Sequence, residues 1–187
     1  MVPTRVAQHL RASGIRFSIR SHDRAVTAQR LAASMHVSGH RVAKSVLVEA
    51  EGKRLIAVLR GADVVNVERL GRALGALSVR LMSETEFAPL FAECDAGAEP
   101  PFGSLYGLPV VVDWRLARSG PIILRAGSHE EVLEMFYDDF IRLEHPMVAD
   151  FADPMAETAA ADSRESWMDE DWLDLDWSSG NPPDRGA

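Results

Sequence analysis

Arg41-Val42-Ala43-Lys44-Ser45-Val46-Leu47-Val48 is a short apolar run of the kind that makes a buried β-strand, and a single lysine interrupts it near its start. Directly after it, Glu51-Gly52 separates this run from a second one, Lys53 to Arg60. A two-residue loop of that type closes a tight hairpin, so strands of about 43–50 and 53–60 are expected at the centre of a sheet. Lysine is scarce, for among 20 Lys+Arg only Lys44 and Lys53 are lysines. Lys53 belongs to the turn. An ammonium in an apolar run is costly unless it finds a partner or reaches water, so Lys44 either snorkels to solvent or holds a ligand. Its own neighbourhood leaves both readings open.

Upstream of the hairpin, Val6, Ala7 and Leu10 mark an amphipathic helix over Thr4–Ser13, with Thr4 expected to cap it and Gly14 to end it. Ile15–Arg20 alternates apolar and polar residues, which predicts a half-buried strand. Thr27 is placed to cap a helix through Leu31 and Met35. Downstream, Asn66 is a good cap for a helix that Gly75 ends, and a strand is expected at Leu77–Arg80. Ser83 with Glu86 forms a capping box. Pro109–Asp113, Pro121–Arg125 and Glu131–Met135 read as further strands, and a last helix is expected near Asp138–Leu143. The sum is an α+β fold: a mixed, mostly antiparallel central sheet of six or seven strands with short helices packed around it.

The net charge of −8 is unevenly placed. Eleven of the 28 acids and only two arginines lie from Asp150 onward, leaving 17 acids and 18 bases in residues 1–149. A domain boundary follows: a near-neutral domain over residues 1–151 and an acidic tail over 152–187, expected to be mostly disordered. Within the tail, Trp167–Trp177 alternates aromatic and acidic residues, a pattern that suits either solvent or a basic, grooved partner. No apolar run approaches the roughly 20 residues of a bilayer span. One cysteine, Cys94, excludes an internal disulfide framework and fits a reducing cytoplasm. A monomer is favoured over an oligomer.

Familiar catalytic patterns are absent: no GxxxxGK[ST], no GxGxxG, no HExxH and no GxSxG. His36 and His40 stand four apart, but Gly39 weakens a helical metal face, so neither metal nor other cofactor is expected. What remains is Lys44, the loop Gly97-Ala98-Glu99-Pro100-Pro101-Phe102-Gly103, and the turn Ala126-Gly127-Ser128-His129. Glycines let a backbone present N–H groups at close range and prolines stiffen the frame, so the loop could hold a carbonyl or oxyanion.

In order and spacing these three stretches resemble the YbaK family, free-standing relatives of the editing domain of bacterial prolyl-tRNA synthetases. The resemblance covers about residues 15–145 and rests on the lysine-bearing strand Val42–Val48, the GxxxP-type loop from Gly97 followed by the Pro109–Asp113 strand, and the glycine turn at Gly127. It implies a trans-editing aminoacyl-tRNA deacylase acting on mischarged proline tRNA or a tRNA carrying a small amino acid. Lys44 would hold the phosphate or ribose of the terminal adenosine, and backbone N–H groups around Gly97 and Ala98 would stabilise the oxyanion. Glu99, Pro100, Pro101, Gly103, Gly127, Ser128 and His129 would line the substrate site, with His129 either contacting substrate or capping its turn. The attacking water would be helped by the tRNA's own ribose hydroxyl, so no protein base is needed. The implied partner is the acceptor end of aminoacyl-tRNA, with a synthetase as a possible second one. A silent binding module of the same fold and a hydrolase of small esters are the competing readings. Ala28, Leu31, Met35, Val46 and Leu59 are the residues expected to set pocket volume.

Overall fold

A computed structural model describes residues 2–155 of the chain. Among the described residues, six α-helices and ten strands alternate irregularly. The helices are α1 (Thr4–Ala12), α2 (Ala28–Ser34), α3 (Val67–Leu74), α4 (Glu84–Phe87), α5 (Gly103–Tyr106) and α6 (Tyr137–Glu144). The strands are β1 (Phe17–Ser21), β2 (Val42–Ala50), β3 (Lys53–Arg60), β4 (Asp63–Val65), β5 (Val79–Leu81), β6 (Val110–Asp113), β7 (Pro121–Arg125), β8 (Glu131–Phe136), β9 (Met147–Ala149) and β10 (Ala152–Pro154).

The β2–β3 hairpin sits in the middle of an eight-stranded sheet of order β1-β8-β7-β2-β3-β6-β9, with β5 added beside β2. Ala50 faces Lys53 across a turn in which Glu51 and Gly52 both take positive φ, 50° and 79°. That is the geometry a two-residue hairpin loop demands, and it matches the right-handed twist of the strands it joins. β2 pairs antiparallel with β3 and β5 but parallel with β7, and β3 pairs parallel with β6. The fold is therefore a mixed α+β sheet with short helices around it.

Alternation along the central strands sorts the core into two faces. Ala43, Leu47, Ile56, Val58 and Leu124 pack with Val6 and Leu10 of α1 and Phe140 of α6. On the other face, Val48, Leu55, Ala57 and Leu59 pack with Leu70 of α3 and Phe151, while Val42, Ile123 and Val132 pack under Leu31 of α2 and Met35 at its C-terminal end.

Four expectations change in detail. Pro3 rather than Thr4 occupies the cap of α1, and no side chain caps it. The first strand is no half-buried alternation: Ser18 to Ser21 are all exposed, Ile19 to 43%, because β1 is the sheet's edge and pairs only with β8. The strand after α3 starts at Val79, because Gly71 and Arg72 carbonyls take the chain through Gly75 and Ala76 first. The compact body also runs past Phe151: β10 pairs with β4, and Asp113, fully buried, accepts from the Phe151 and Ala152 N–H groups at 3.0 and 2.9 Å. The acidic tail from residue 156, with its Trp167–Trp177 segment, lies outside the described residues.

Candidate active site

Lys44 and Arg125 come together through sheet register. In the parallel β2–β7 pair Val42 lies opposite Ile123 and Ala43 opposite Leu124, so the next residues in line are Lys44 and Arg125. Val42 and Ile123 face α2 whereas Ala43 and Leu124 face α1, so alternation returns Lys44 and Arg125 to the α2 face. Two cations are thus set side by side on adjacent central strands. The Lys44 side chain is half-buried and has no hydrogen-bond or ion-pair partner among the described residues. Burial lowers its pKa from the ordinary lysine value, and the more distant charge of Asp63 only partly opposes this. Asp63 itself is committed to Arg60, which binds both its oxygens at 2.7 and 3.0 Å.

Arg125 is fixed, not free. One guanidinium nitrogen donates to the Ala25 carbonyl at 2.8 Å and another lies 2.7 Å from Nδ1 of His129. Burial pushes its pKa down, and the Glu99 carboxylate opposes the shift. Arginine can only donate, so Nδ1 of His129 accepts. Nε2 then carries the proton and donates to the Ala96 carbonyl at 2.8 Å. His129 is 3% exposed, with both ring nitrogens engaged. It fastens the loop before Gly97 to the end of β7.

The two glycine stretches hold each other. Gly127 N–H donates to the Ala98 carbonyl at 2.8 Å, Asp95 N–H donates to the Gly127 carbonyl at 3.0 Å, and the His129 N–H donates to Asp95 Oδ2 at 3.1 Å. Gly127 has φ +89°, and a Cβ there would fall 2.7 Å from the Pro3 ring. Glycine is required at this crossing for both reasons. Ser128 caps the same turn, its Oγ accepting from the Glu130 N–H at 3.1 Å.

Within the loop, Gly97 N–H donates to Glu99 Oε1 at 2.8 Å and Ala98 N–H to the Asp95 carbonyl at 2.9 Å. Pro100 and Pro101 have no N–H, and both are buried with Ala98 and Glu99. Glu99 therefore carries the one N–H of residues 97–101 without a partner among the described residues. The expected donor set around Gly97 and Ala98 is spent inside the loop, and the buried Glu99 carries the amide left over. Gly103 stands apart from this cluster. Its missing side chain makes room for the Leu108 carbonyl and Val110 Cγ2, which places it in the packing of α5 against β6.

The expected pocket residues divide. Leu31 of α2 and Met35 just after it pack against Val42, and Ala28 lies at their edge. Leu59 is the direct cross-strand partner of Lys44 and belongs with Val46 to the neighbouring cluster. A separate groove of about 500 Å³, between α3 and β5, is lined by Val67, Gly71, Ala76 and Val79 and includes none of these site residues.

Residues 22–143 match the family model of the aminoacyl-tRNA editing domain. The chain belongs to that family. Two proline--tRNA ligases, from two strains of Acidithiobacillus ferrooxidans, are each 30% identical over 109 residues, which is 58% of this chain. The aligned part is 17% of the ligases' own length. Among solved structures, the hypothetical protein APE2540 superposes with a TM-score of 0.73 at 22% identity, over 80% of this chain and 99% of its own. A candidate trans-editing enzyme for prolyl tRNA synthetase superposes with a TM-score of 0.71 at 19% identity, over 80% of this chain and 95% of its own. At those identities the superpositions show a shared fold.

The candidate site contains groups that the sequence did not single out. Arg125 closes a run, Pro121–Arg125, that looks like a plain core strand. Its position at the end of an apolar run, like that of Lys44 near the start of one, is the signal that could have marked it. Asp95, through its carboxylate and its backbone, and Ala25, through its carbonyl, act at contacts between distant segments, which local sequence does not display.

Proposed function

We propose that this editing-domain protein hydrolyses the ester of mischarged aminoacyl-tRNA in trans. The observation that carries the reading is Lys44: a half-buried ammonium with no hydrogen-bond or ion-pair partner among the described residues, next in register to the anchored Arg125. A cation held in that way is poised for an anion that arrives from outside, and the phosphate or ribose of a tRNA 3′ end supplies suitable acceptors. The Glu99 N–H offers a preorganised donor to the developing oxyanion. Glu99, Pro100 and Pro101 frame the aminoacyl group, while Gly97, Ala98, Gly127, Ser128 and His129 hold that frame in shape.

No described side chain at the site is placed as a general base, since both nitrogens of His129 are engaged. The proton of the attacking water then passes to solvent or to the substrate's own ribose hydroxyl, as the family resemblance implies. An aminoacyl ester is already labile, so positioning and charge stabilisation suffice. The mischarged species is a proline tRNA or one carrying a small amino acid; the reaction takes place in the cytoplasm, with a synthetase as a second partner.

A deacylation panel of mischarged tRNAs tests the reading, comparing the full chain with Lys44→Ala. The expected loss is on the order of 100-fold, the usual effect of removing one preorganised electrostatic contact. Wild-type rates from Lys44→Ala would reject the role of Lys44. Binding of tRNA without hydrolysis of any ester would replace the enzyme reading by that of a silent binding module.

A further inference from the structure

The near-neutral total of the domain conceals a strong polarity. Its first 48 residues contain Arg5, Arg11, Arg16, Arg20, Arg24, Arg30, Arg41 and Lys44 against one acid, Asp23. Residues 49–149 contain 16 acids and 10 bases. The sheet brings the basic part to the candidate site. Arg20 on the edge strand β1 lies opposite Val132, and Val132 lies opposite Arg125. The row Arg20, Val132, Arg125, Lys44 thus crosses four adjacent strands on one face of the sheet.

The edge end of this row is exposed and weakly neutralised. Arg20 shares one carboxylate, Glu134, with Arg41, leaving that trio with a net positive charge. Arg24 approaches Glu130 only at 3.9 Å, with both side chains more than 60% exposed. Arg16 lies over the exposed ring of Phe136 and has no ion pair among the described residues. Surface pairs of this kind contribute little and are readily exchanged for a better anion.

We propose that Arg16, Arg20 and Arg24 form a phosphate-binding edge for the acceptor strand of the tRNA whose 3′ end lies at Lys44. The proposal rests on the deacylase reading for where the 3′ end lies, and on charge for the partner's class. Strands are about 4.8 Å apart, so β1 stands about 14 Å from β2. A helical nucleic-acid strand advances about 3.4 Å per nucleotide, which places this edge about four nucleotides from the terminal one. An editing domain of near-neutral total charge would then grip its substrate at one edge.

The test uses the full chain and an uncharged acceptor-stem RNA hairpin with a single-stranded 3′ end, with binding followed by fluorescence anisotropy across a salt series. The triple variant Arg16→Ala, Arg20→Ala, Arg24→Ala is expected to bind at least tenfold more weakly at about 0.15 M salt. Its log–log salt slope should be flatter by about 2 to 3, one for each lost phosphate contact or slightly less. Arg24→Glu alone, at a 62% exposed side chain, gives the same direction should the triple variant fail to fold. Arg54→Ala, an exposed arginine at the far end of the hairpin, should bind as wild type does. Failure of the wild-type chain to bind the hairpin, an unchanged slope in the variants, or equal displacement of the hairpin by polyglutamate would each overturn the proposal. Binding lost in the triple variant without cleavage of any ester would reject the deacylase reading and keep this one. Cleavage accompanied by unchanged variant binding would do the reverse.

Discussion

Nδ1 of His129 lies 2.7 Å from the guanidinium of Arg125, and because arginine has no lone pair to offer, the imidazole must be the acceptor. The donor at Nε2 then points at the Ala96 carbonyl. His129 is thus a two-ended brace between a central strand and the loop that carries Glu99. In the folded protein its imidazole is the neutral Nε2–H tautomer, which 15N chemical shifts of the ring will display. His129→Ala removes both bonds and leaves a buried donor on Arg125 unsatisfied, at a cost of about 2–4 kcal/mol. Thermal denaturation measures that cost. His129→Gln, which can present one acceptor and one donor, should recover part of it.

Lys44 can be observed directly, because the chain has only one other lysine, Lys53. Lysine labelled with 13C at Cε gives two resonances, and Lys44→Met removes one of them and so assigns it. The Lys44 signal is expected to titrate below the ordinary lysine range, burial being the dominant cause. The sign follows from linkage: with the folded pKa lower than the unfolded one, the charged form costs stability at neutral pH. That cost is relieved as pH rises from the folded value to the unfolded one. Lys44→Met should therefore raise the melting temperature by about 2–4 °C, as for a gain of about 1 kcal/mol, while lowering deacylation on the order of 100-fold. An unchanged or lowered melting temperature would count against a strained, unpartnered lysine.

The two glycines that looked alike in the sequence should behave differently. Gly103→Ala forces a methyl group onto the Leu108 carbonyl, with Val110 Cγ2 only 2.5 Å away, and neither can move without shifting β6. Gly127→Ala meets the Pro3 ring, which belongs to the chain's first few residues, and also strains a φ of +89°. Overpacking of this kind costs about 1–3 kcal/mol, with about 1 kcal/mol more for the positive φ. Deleting residues 1–3 should restore part of the stability lost in Gly127→Ala and none of that lost in Gly103→Ala. Urea denaturation of the wild-type chain and the two variants, each with and without residues 1–3, decides the matter.

Burial pushes the Cys94 thiol up to about 11. It should resist iodoacetamide at pH 7.5 in the folded protein and react readily in urea, as counted by mass spectrometry. Because the folded pKa is the higher one, stability falls as pH rises from the ordinary thiol range toward 11. Rapid native alkylation would place the thiol in a more open setting than the half-buried one beside Gly127 and Tyr106.

Much of this fold is legible because its signals are local. The Glu51-Gly52 turn specifies the hairpin, Thr27 and Asn66 cap the helices predicted for them, and the Ser83–Glu86 box forms both of its bonds. The misses share a cause. β4, β9 and β10 are three residues long, too short to show a period, and exist only because partners far along the chain pair with them. The exposure of β1 depends on its place at the sheet edge, which no alternation within Ile15–Arg20 can state. At the site, Lys44 and the two glycine stretches stand out as chemical oddities. The role of Arg125 depends on register with a strand about 80 residues away and is invisible to local reading.

The pairing of β1 with β8 has a kinetic consequence. Phe17 meets Met135, and Ser21 meets Glu131, across more than 100 residues of intervening chain. Closing so long a loop delays the contact until the central strands have assembled, and sheets dominated by such pairings fold on the millisecond-to-second scale. The β2–β3 hairpin, whose partners are neighbours in sequence, should form early, and the β1 edge late. In native-state hydrogen exchange the amides of β1 should open at a lower free energy than those of β2 and β3.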